Sequence, residues 1–341
     1  MVDRVLVVGY GSIGQRHIRT VRDALPNADI RVLRRALNEP STEFVSTIYT
    51  QLQDALVFEP QLAVVACPAS EHLKVATALV AQGCHVLIEK PLCLPNEKDS
   101  DFVNACKANP GVHVQVGYNL RFLSSLERFR QLIREGTLGR VLSVRCEVGQ
   151  YLPDWRPGRN YRNSVSAQRV LGGGVLMELS HELDYLQWVF GRCEWVSAYL
   201  GRHSALDIDV EDTAQLFMGH ASQDGGGSVV TALAMDFYRR DTTRRCTAIC
   251  EQGTAAWDAI AGRVELFKAG SNATDLVLQT DPSVQDTYAL QWQNFMQVAY
   301  GLKPKPADLC DARNVMAVIS AARQSADTNS VRVDVPAAGK W

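Results

Sequence analysis

An apolar run that breaks into closely spaced glycines, Val5-Leu6-Val7-Val8-Gly9-Tyr10-Gly11-Ser12-Ile13-Gly14, constrains this chain more than any other segment. It reads as a strand, a tight turn and the start of a helix. That geometry aims backbone N–H groups at an anion and suits the pyrophosphate of a dinucleotide. Gly9 permits the turn, Gly11 lets the phosphates approach, and Gly14 lets the helix lie close to the sheet. Ser12 and Ile13 open that helix and complete the expected phosphate contacts.

The end of the second strand indicates which dinucleotide. Residues 29–33 form that strand and Arg34-Arg35 closes it. An acidic residue there would bond the ribose hydroxyls of NAD, whereas arginine attracts a 2′-phosphate and grips it with two bonds. NADP is therefore the expected cofactor, with Arg34 as first contact and Arg35 beside it. NAD is the alternative, with Glu39 as a ribose contact.

A chain of 341 residues exceeds one comfortable hydrophobic core. Two domains are expected: 1–118 for the dinucleotide, and 119–341 for substrate binding and oligomerisation. A net charge of -2 gives no basic field for nucleic acid, and no basic recognition helix is present. The first residues read as a strand and no apolar run approaches the length of a membrane span, so a cytoplasmic protein without a membrane partner is expected. The 9 cysteines include no close CxxC pair. Reduced thiols are the simple account, and no metal centre is expected.

Strands and helices alternate over the first 118 residues, with strands at 3–8, 29–34, 62–66, 85–88 and 113–116. Helices are predicted at 12–25, 70–82 and 95–107, and the stretch 46–58 reads as a short strand and a helix. This rhythm indicates an α/β fold with a doubly wound parallel sheet. The pattern then changes to long alternating strands, at 141–150, 195–202, 213–218, 228–238, 244–251, 255–258 and 264–268. Period-two alternation with Gly/Asp turns, Asp224-Gly225-Gly226-Gly227 among them, indicates an α+β domain with a large open, mostly antiparallel sheet. Two helices, 288–300 and 308–327, separated by Pro304 and Pro306, precede a last strand at 331–335.

Two segments carry groups suited to proton transfer. In Val86-Leu87-Ile88-Glu89-Lys90-Pro91-Leu92 a charged pair follows a buried strand. That is the carboxyl end of a parallel sheet, where ligands bind, and Pro91 restricts the direction of Lys90. A lysine ammonium there can stabilise a developing alkoxide or donate a proton. In the segment 172–184 three glycines precede an apolar rhythm that reads as one helix, with Glu178, His181 and Asp184 three apart on one side. His181 is the general base of that segment, and Asp184 or Glu178 can orient its ring. Between the two, the loop 151–162 offers aromatic rings and cations, with Tyr151, Trp155, Arg156, Arg159, Tyr161 and Arg162 as candidates for a sugar or an anionic substrate. Asn119 and Arg121 are placed in the same cleft, and His72 is placed at the border of the cofactor. His17 is read as a packing or capping residue.

The order and spacing of the glycine motif, Cys67-Pro68-Ala69-Ser70-Glu71-His72, Glu89-Lys90-Pro91-Leu92 and Gly172–Asp184 resemble the glucose–fructose oxidoreductase, inositol dehydrogenase and MocA (Gfo/Idh/MocA) family over essentially the whole length. The resemblance implies a Rossmann domain followed by a domain whose open sheet supports homodimers or homotetramers. It also implies reversible hydride transfer at a carbon bearing a hydroxyl or carbonyl, usually on a sugar or cyclitol. It makes Lys90 the active-site lysine, matches His181 to the family histidine ahead of Asp184, and adds Cys67, Pro68, His72 and Glu89 to the cofactor contacts. The family often has an aspartate four residues before that histidine. Here Met177 stands in its place, with Glu178 one residue later. With its Trp-Arg-Pro loop, the segment resembles members of bacterial surface-sugar pathways, which extends the substrate range to sugar nucleotides. The alternative function is a catalytically silent sensor or regulator that binds the dinucleotide and a ligand on the same fold.

Overall fold

The computed structural model describes residues 2–35, 44–221, 228–303 and 309–338. Glu39, the turn at 224–227 and the prolines at 304 and 306 lie outside them. The chain divides into two compact units. One comprises 1–119 and 286–313 with the last three residues, the other 120–285 and 314–338.

The first unit holds β1 (Arg4–Val8), α1 (Ser12–Ala24), β2 (Asp29–Leu33), β3 (Thr47–Tyr49), α2 (Leu52–Val57), β4 (Leu62–Val65), α3 (His72–Ala81), β5 (His85–Ile88), α4 (Ser100–Ala108) and β6 (Val114–Val116). The strands form a six-stranded sheet in the order β3-β2-β1-β4-β5-β6, parallel throughout. The order reverses between β1 and β4, which opens a ligand crevice at their carboxyl ends. Leu62–Val65 is wholly buried, as the continuous apolar run requires of a strand covered on both faces. Helix α4 begins later than the pattern suggests. Glu97 accepts a hydrogen bond from the Leu94 N–H (2.9 Å) and Asn96 adopts φ 61°, so these residues close a turn before Ser100.

The second unit holds α5 (Ser124–Arg134), β7 (Val141–Gly149), α6 (Val175–Glu178), α7 (His181–Phe190), β8 (Cys193–Gly201), β9 (Thr213–His220), β10 (Val229–Asp236), β11 (Thr243–Cys250), β12 (Gly253–Asp258), β13 (Arg263–Lys268) and β14 (Thr274–Gln279). Its nine-stranded sheet runs β14-β13-β12-β11-β7-β10-β9-β8 and ends on the short β15 (Val333–Asp334). All neighbours are antiparallel except β10 and β7. Strand β14 has no counterpart in the sequence reading, because most of its side chains are exposed and no in/out alternation marks it. On the outward face Trp195 lies over Gly219, where an added Cβ would come within 2.0 Å of the indole nitrogen. Tyr199 and Phe217 project from the same face, 47% and 58% exposed.

Two helices close the chain, α8 (Thr287–Ala299) and α9 (Leu309–Asp327). The boundary at 119 assigned both to the second domain, but α8 belongs to the first unit. Its Trp292 and Phe295 lie in one core with Val5, Val7, Ile18, Val21 and Leu87. An amphipathic helix carries no mark of which sheet it covers, so sequence order alone misplaced it. Among the described residues no helix is long and apolar enough to cross a membrane, and no group of three or more His, Cys, Asp or Glu is placed to hold a metal ion.

Candidate active site

The glycine loop has the geometry that the motif requires. Gly9 has φ 99°, and a Cβ there would lie 2.4 Å from the Ala66 carbonyl oxygen on the neighbouring strand end. A Cβ on Gly14 would lie 2.1 Å from the Gly9 carbonyl oxygen, so helix and loop touch backbone to backbone. A Cβ on Gly11 would meet nothing within 4 Å. The space beside Gly11 opens onto the start of α1, whose cap uses no side chain. The first-turn N–H groups, including those of Ser12 and Ile13, are therefore not consumed by a cap. This cradle fits a dinucleotide pyrophosphate.

Around that cradle the expected contacts divide. Arg34 is half-buried, its guanidinium 4.9 Å from the centre of the Tyr10 ring within the glycine loop. Arg35 is exposed and 3.9 Å from Glu71. His72, placed by sequence at the cofactor border, is a buried clamp. Its ring nitrogens face the carbonyl oxygens of Cys67 (2.8 Å) and Pro91 (2.9 Å), and so tie together the loops after β4 and β5. Burial pushes its pKa down, against those two carbonyl bonds. Burial pushes the half-buried Cys67 thiol up to about 12.

Lys90 leaves the end of β5 half-buried and joins Pro91 through a cis peptide bond. Glu89 beside it is buried. His17 Nε2 donates to Glu89 Oε1 over 2.6 Å, and the Lys90 backbone N–H lies 3.3 Å from Oε2. Burial pulls the Glu89 carboxyl up, yet the His17 bond and charge, the Lys90 charge and the Lys90 N–H outweigh it and hold the pKa below the ordinary range. Gly117 leaves room for this carboxylate, since a Cβ there would lie 3.2 Å from it. The packing reading of His17 did not include its bond to Glu89. The signal for its burial was present, because Gly14, His17, Ile18 and Val21 share the buried face of α1.

In the second unit the segment 175–190 is two helices rather than one. Helix α6 ends at Glu178 and α7 starts at His181, across Leu179 and Ser180. His181 and Asp184 therefore share one helix, and Glu178 closes the preceding one. Met177 is fully buried, while Glu178 and His181 are half-buried. Asp184 accepts two bonds from Arg121, at 2.6 and 2.9 Å, with both side chains almost wholly buried. Arg121, expected among the substrate contacts, thus fixes α7 through Asp184. Asn119, in the first unit, donates to Thr287 Oγ1 at 2.8 Å.

Residues far away in sequence position this segment. Gly174 has φ 108°, and a Cβ there would lie 2.3 Å from the Glu211 carboxylate. The Glu211 carbonyl accepts from the Val175 N–H (3.1 Å) at the start of α6. Glu182, fully buried on α7, accepts from Arg244 at 2.7 Å. Nothing local marks Glu211 or Arg244 as partners of the His181 segment.

The loop 151–162 also divides. Arg240 stacks 3.5 Å from the centre of the Tyr151 ring. Trp155 donates to the Gln150 carbonyl and sets its ring edge-on to Phe237. Tyr161 accepts from the Asp207 N–H, and Arg162 pairs with the Asp207 carboxylate at 2.8 Å. Arg156 is half-buried and Arg159 exposed, and neither guanidinium has an acidic partner among the described residues.

A phosphate cradle at the carboxyl end of a parallel sheet, with a lysine at the end of a nearby strand, defines a dinucleotide-binding domain of the oxidoreductase class. Residues 4–118 match the model of an oxidoreductase family with an NAD-binding Rossmann fold, residues 126–256 match the Gfo/Idh/MocA C-terminal domain, and the chain belongs to the Gfo/Idh/MocA family. It is similar to an inositol 2-dehydrogenase of Salmonella paratyphi B, 24% identical over 96% of this chain and 95% of that one. Among solved structures it shares its fold with a levoglucosan dehydrogenase in complex with NADH (TM-score 0.82, 19% identity, 98% of this chain and 99% of that one). It shares it also with the WlbA dehydrogenase of Bordetella pertussis in complex with NADH and UDP-GlcNAcA (TM-score 0.77, 22% identity, 98% and 99%).

Proposed function

We propose that this chain is a dehydrogenase or reductase that works reversibly at a CH–OH carbon of a sugar, sugar nucleotide or cyclitol, with NADP preferred. The observation that carries the reading is the pairing, in one sheet, of the open Gly11 cradle with Lys90 at the end of β5. The bound dinucleotide would accept or donate the hydride. Gly9–Gly14 and the first turn of α1 would hold its pyrophosphate, and Arg34 its 2′-phosphate. Lys90 would steady the substrate oxygen with its ammonium, and His181 would take the hydroxyl proton during oxidation and return it during reduction. Arg156 and Arg159 supply the cations for an acidic substituent.

The names of the relatives support the substrate class: inositol and levoglucosan are polyhydroxylated rings, and the WlbA structure holds a UDP-linked sugar. Two of the comparison structures are complexes with NADH, which favours NAD as the second reading for the cofactor. A second copy of this chain is the proposed occupant of the outward face of the nine-stranded sheet, where Tyr199 and Phe217 are exposed. A homodimer or homotetramer is the expected assembly, and Phe217→Glu would lower its mass by light scattering.

Fluorescence titration with NADPH and NADH tests the cofactor, followed by a screen of sugars, sugar nucleotides and cyclitols with the tighter one. Tighter NADPH binding, lost in Arg34→Ala, is the expected result, with turnover abolished in His181→Ala. Cofactor binding with no turnover across the screen would make the chain a sensor instead.

A further inference from the structure

The base of Lys90 contains a charge arrangement that the proposed hydride transfer does not itself require. Glu89 is 8% exposed, lies directly before Lys90 in the chain, and is gripped from α1 by His17 at 2.6 Å. A buried carboxylate is costly to desolvate unless it is compensated, so its presence calls for a reason. His17 Nε2 donates to it. The other ring nitrogen, Nδ1, is buried with no hydrogen-bond partner, and the ring packs at 5.4 Å against the Tyr288 ring. The one hydrogen bond of the His17 ring is therefore the one it donates to Glu89. The charge of Lys90 acts on that carboxylate, and the Lys90 backbone N–H approaches it.

We propose that Glu89 is the buried counter-ion of Lys90, held in place by His17, and that it lets the oxidised nicotinamide, whose ring is cationic, bind beside the Lys90 ammonium. A lone ammonium would repel the oxidised ring and leave the neutral reduced ring almost unaffected. With Glu89 ionised beneath it, the local field is close to neutral and the two redox forms bind on comparable terms. Glu89 is on this account a positioning residue that sets the balance between oxidised and reduced cofactor. The inference rests on the dinucleotide reading of the first unit. It is distinct from a merely structural role, in which Glu89 only fastens the end of β5 to α1. A structural role would weaken both redox forms alike.

The test is calorimetric titration of the full-length protein with the oxidised and the reduced cofactor separately, at fixed pH and salt. Glu89→Gln keeps the size and an acceptor for His17 but removes the charge. It should weaken the oxidised form about fivefold more than the reduced form, the order expected of one nearby charge in a partly screened site. Lys90→Met should shift the ratio by a similar factor in the opposite direction, and the double variant should return towards the wild-type ratio. An unchanged ratio in both single variants, or equal weakening of both forms, would overturn the inference while leaving the cofactor reading standing. Failure of the wild-type protein to bind either form would overturn both. If Glu89→Gln does not fold by circular dichroism, Lys90→Met at its half-buried position decides alone.

Discussion

The two segments that bear the candidate chemistry are built on opposite principles. In the first unit, Gly9–Gly14 works through bare backbone: Gly9 answers to the strand end at Ala66, Gly14 answers to Gly9, and Gly11 faces open space. In the second unit, the segment Gly172–Asp184 works through side chains that other elements hold in place. Arg121 grips Asp184, Glu211 fills the space left by Gly174, and Arg244 grips Glu182. A backbone site needs only its own glycines, so it can be written in a local motif. A side-chain site depends on partners whose position in sequence is arbitrary.

That difference predicts where substitutions will be most costly. Asp184→Ala should have the largest effect, because it strands the Arg121 guanidinium, whose side chain is 3% exposed. Loss of one partner from a buried ion pair costs about 3–5 kcal/mol. Urea unfolding should show it, and Glu251→Ala in the exposed Arg140 pair should lose no more than about 1 kcal/mol. Similar losses at the two sites would break the contrast between them.

The glycine loop should separate stability from binding. Gly9→Ala meets both a left-handed φ and the Ala66 carbonyl, and should destabilise the fold by roughly 2–4 kcal/mol. Gly11→Ala has an extended backbone, φ -72° and ψ -173°, with open space around its Cβ. It should leave the urea midpoint unchanged and weaken dinucleotide binding about tenfold or more, since the methyl group enters the phosphate space. A drop in the stability of Gly11→Ala would show that its space is structural rather than reserved for a ligand.

These expectations also mark what the sequence made legible. The parallel sheet, the glycine cradle and the glutamate–lysine pair at the end of β5 all follow from short-range patterns, because a buried strand and a tight turn are specified within a few residues. The open mixed sheet was legible from alternation, apart from β14, whose exposed side chains break the pattern. The return of α8 to the first unit was not legible, nor was the break between α6 and α7, which the apolar rhythm runs straight through. Arg121 and Asn119 were expected to meet substrate. Their bonds to Asp184 and Thr287 were not legible, for a charged or polar side chain near a site looks the same in sequence whatever structural partner it has.

The smallest predicted effect is also the sharpest contrast between the units, since two buried glutamates should give pH slopes of opposite sign. Burial pulls the Glu89 carboxyl up, but His17 and Lys90 hold its pKa below the ordinary range. Its contribution to stability is therefore present above the unfolded-state value and is lost as pH falls through the folded one. Burial also raises Glu211, and there the backbone N–H groups of Glu211 and Leu176 and the charges of Arg323 and Arg169 do not offset it. Its contribution is complete below the unfolded-state value and is lost as pH rises through the folded one. Urea midpoints followed on both sides of the ordinary glutamate value, about pH 4.3, report both effects. Glu211→Gln should remove a loss that the wild-type protein suffers on going from acid to neutral pH, and Glu89→Gln should remove one suffered on acidification. Slopes of the same sign would mean that the two carboxylates share one kind of environment. The Glu89 site would then lack the compensation that its bond to His17 and its neighbour Lys90 imply.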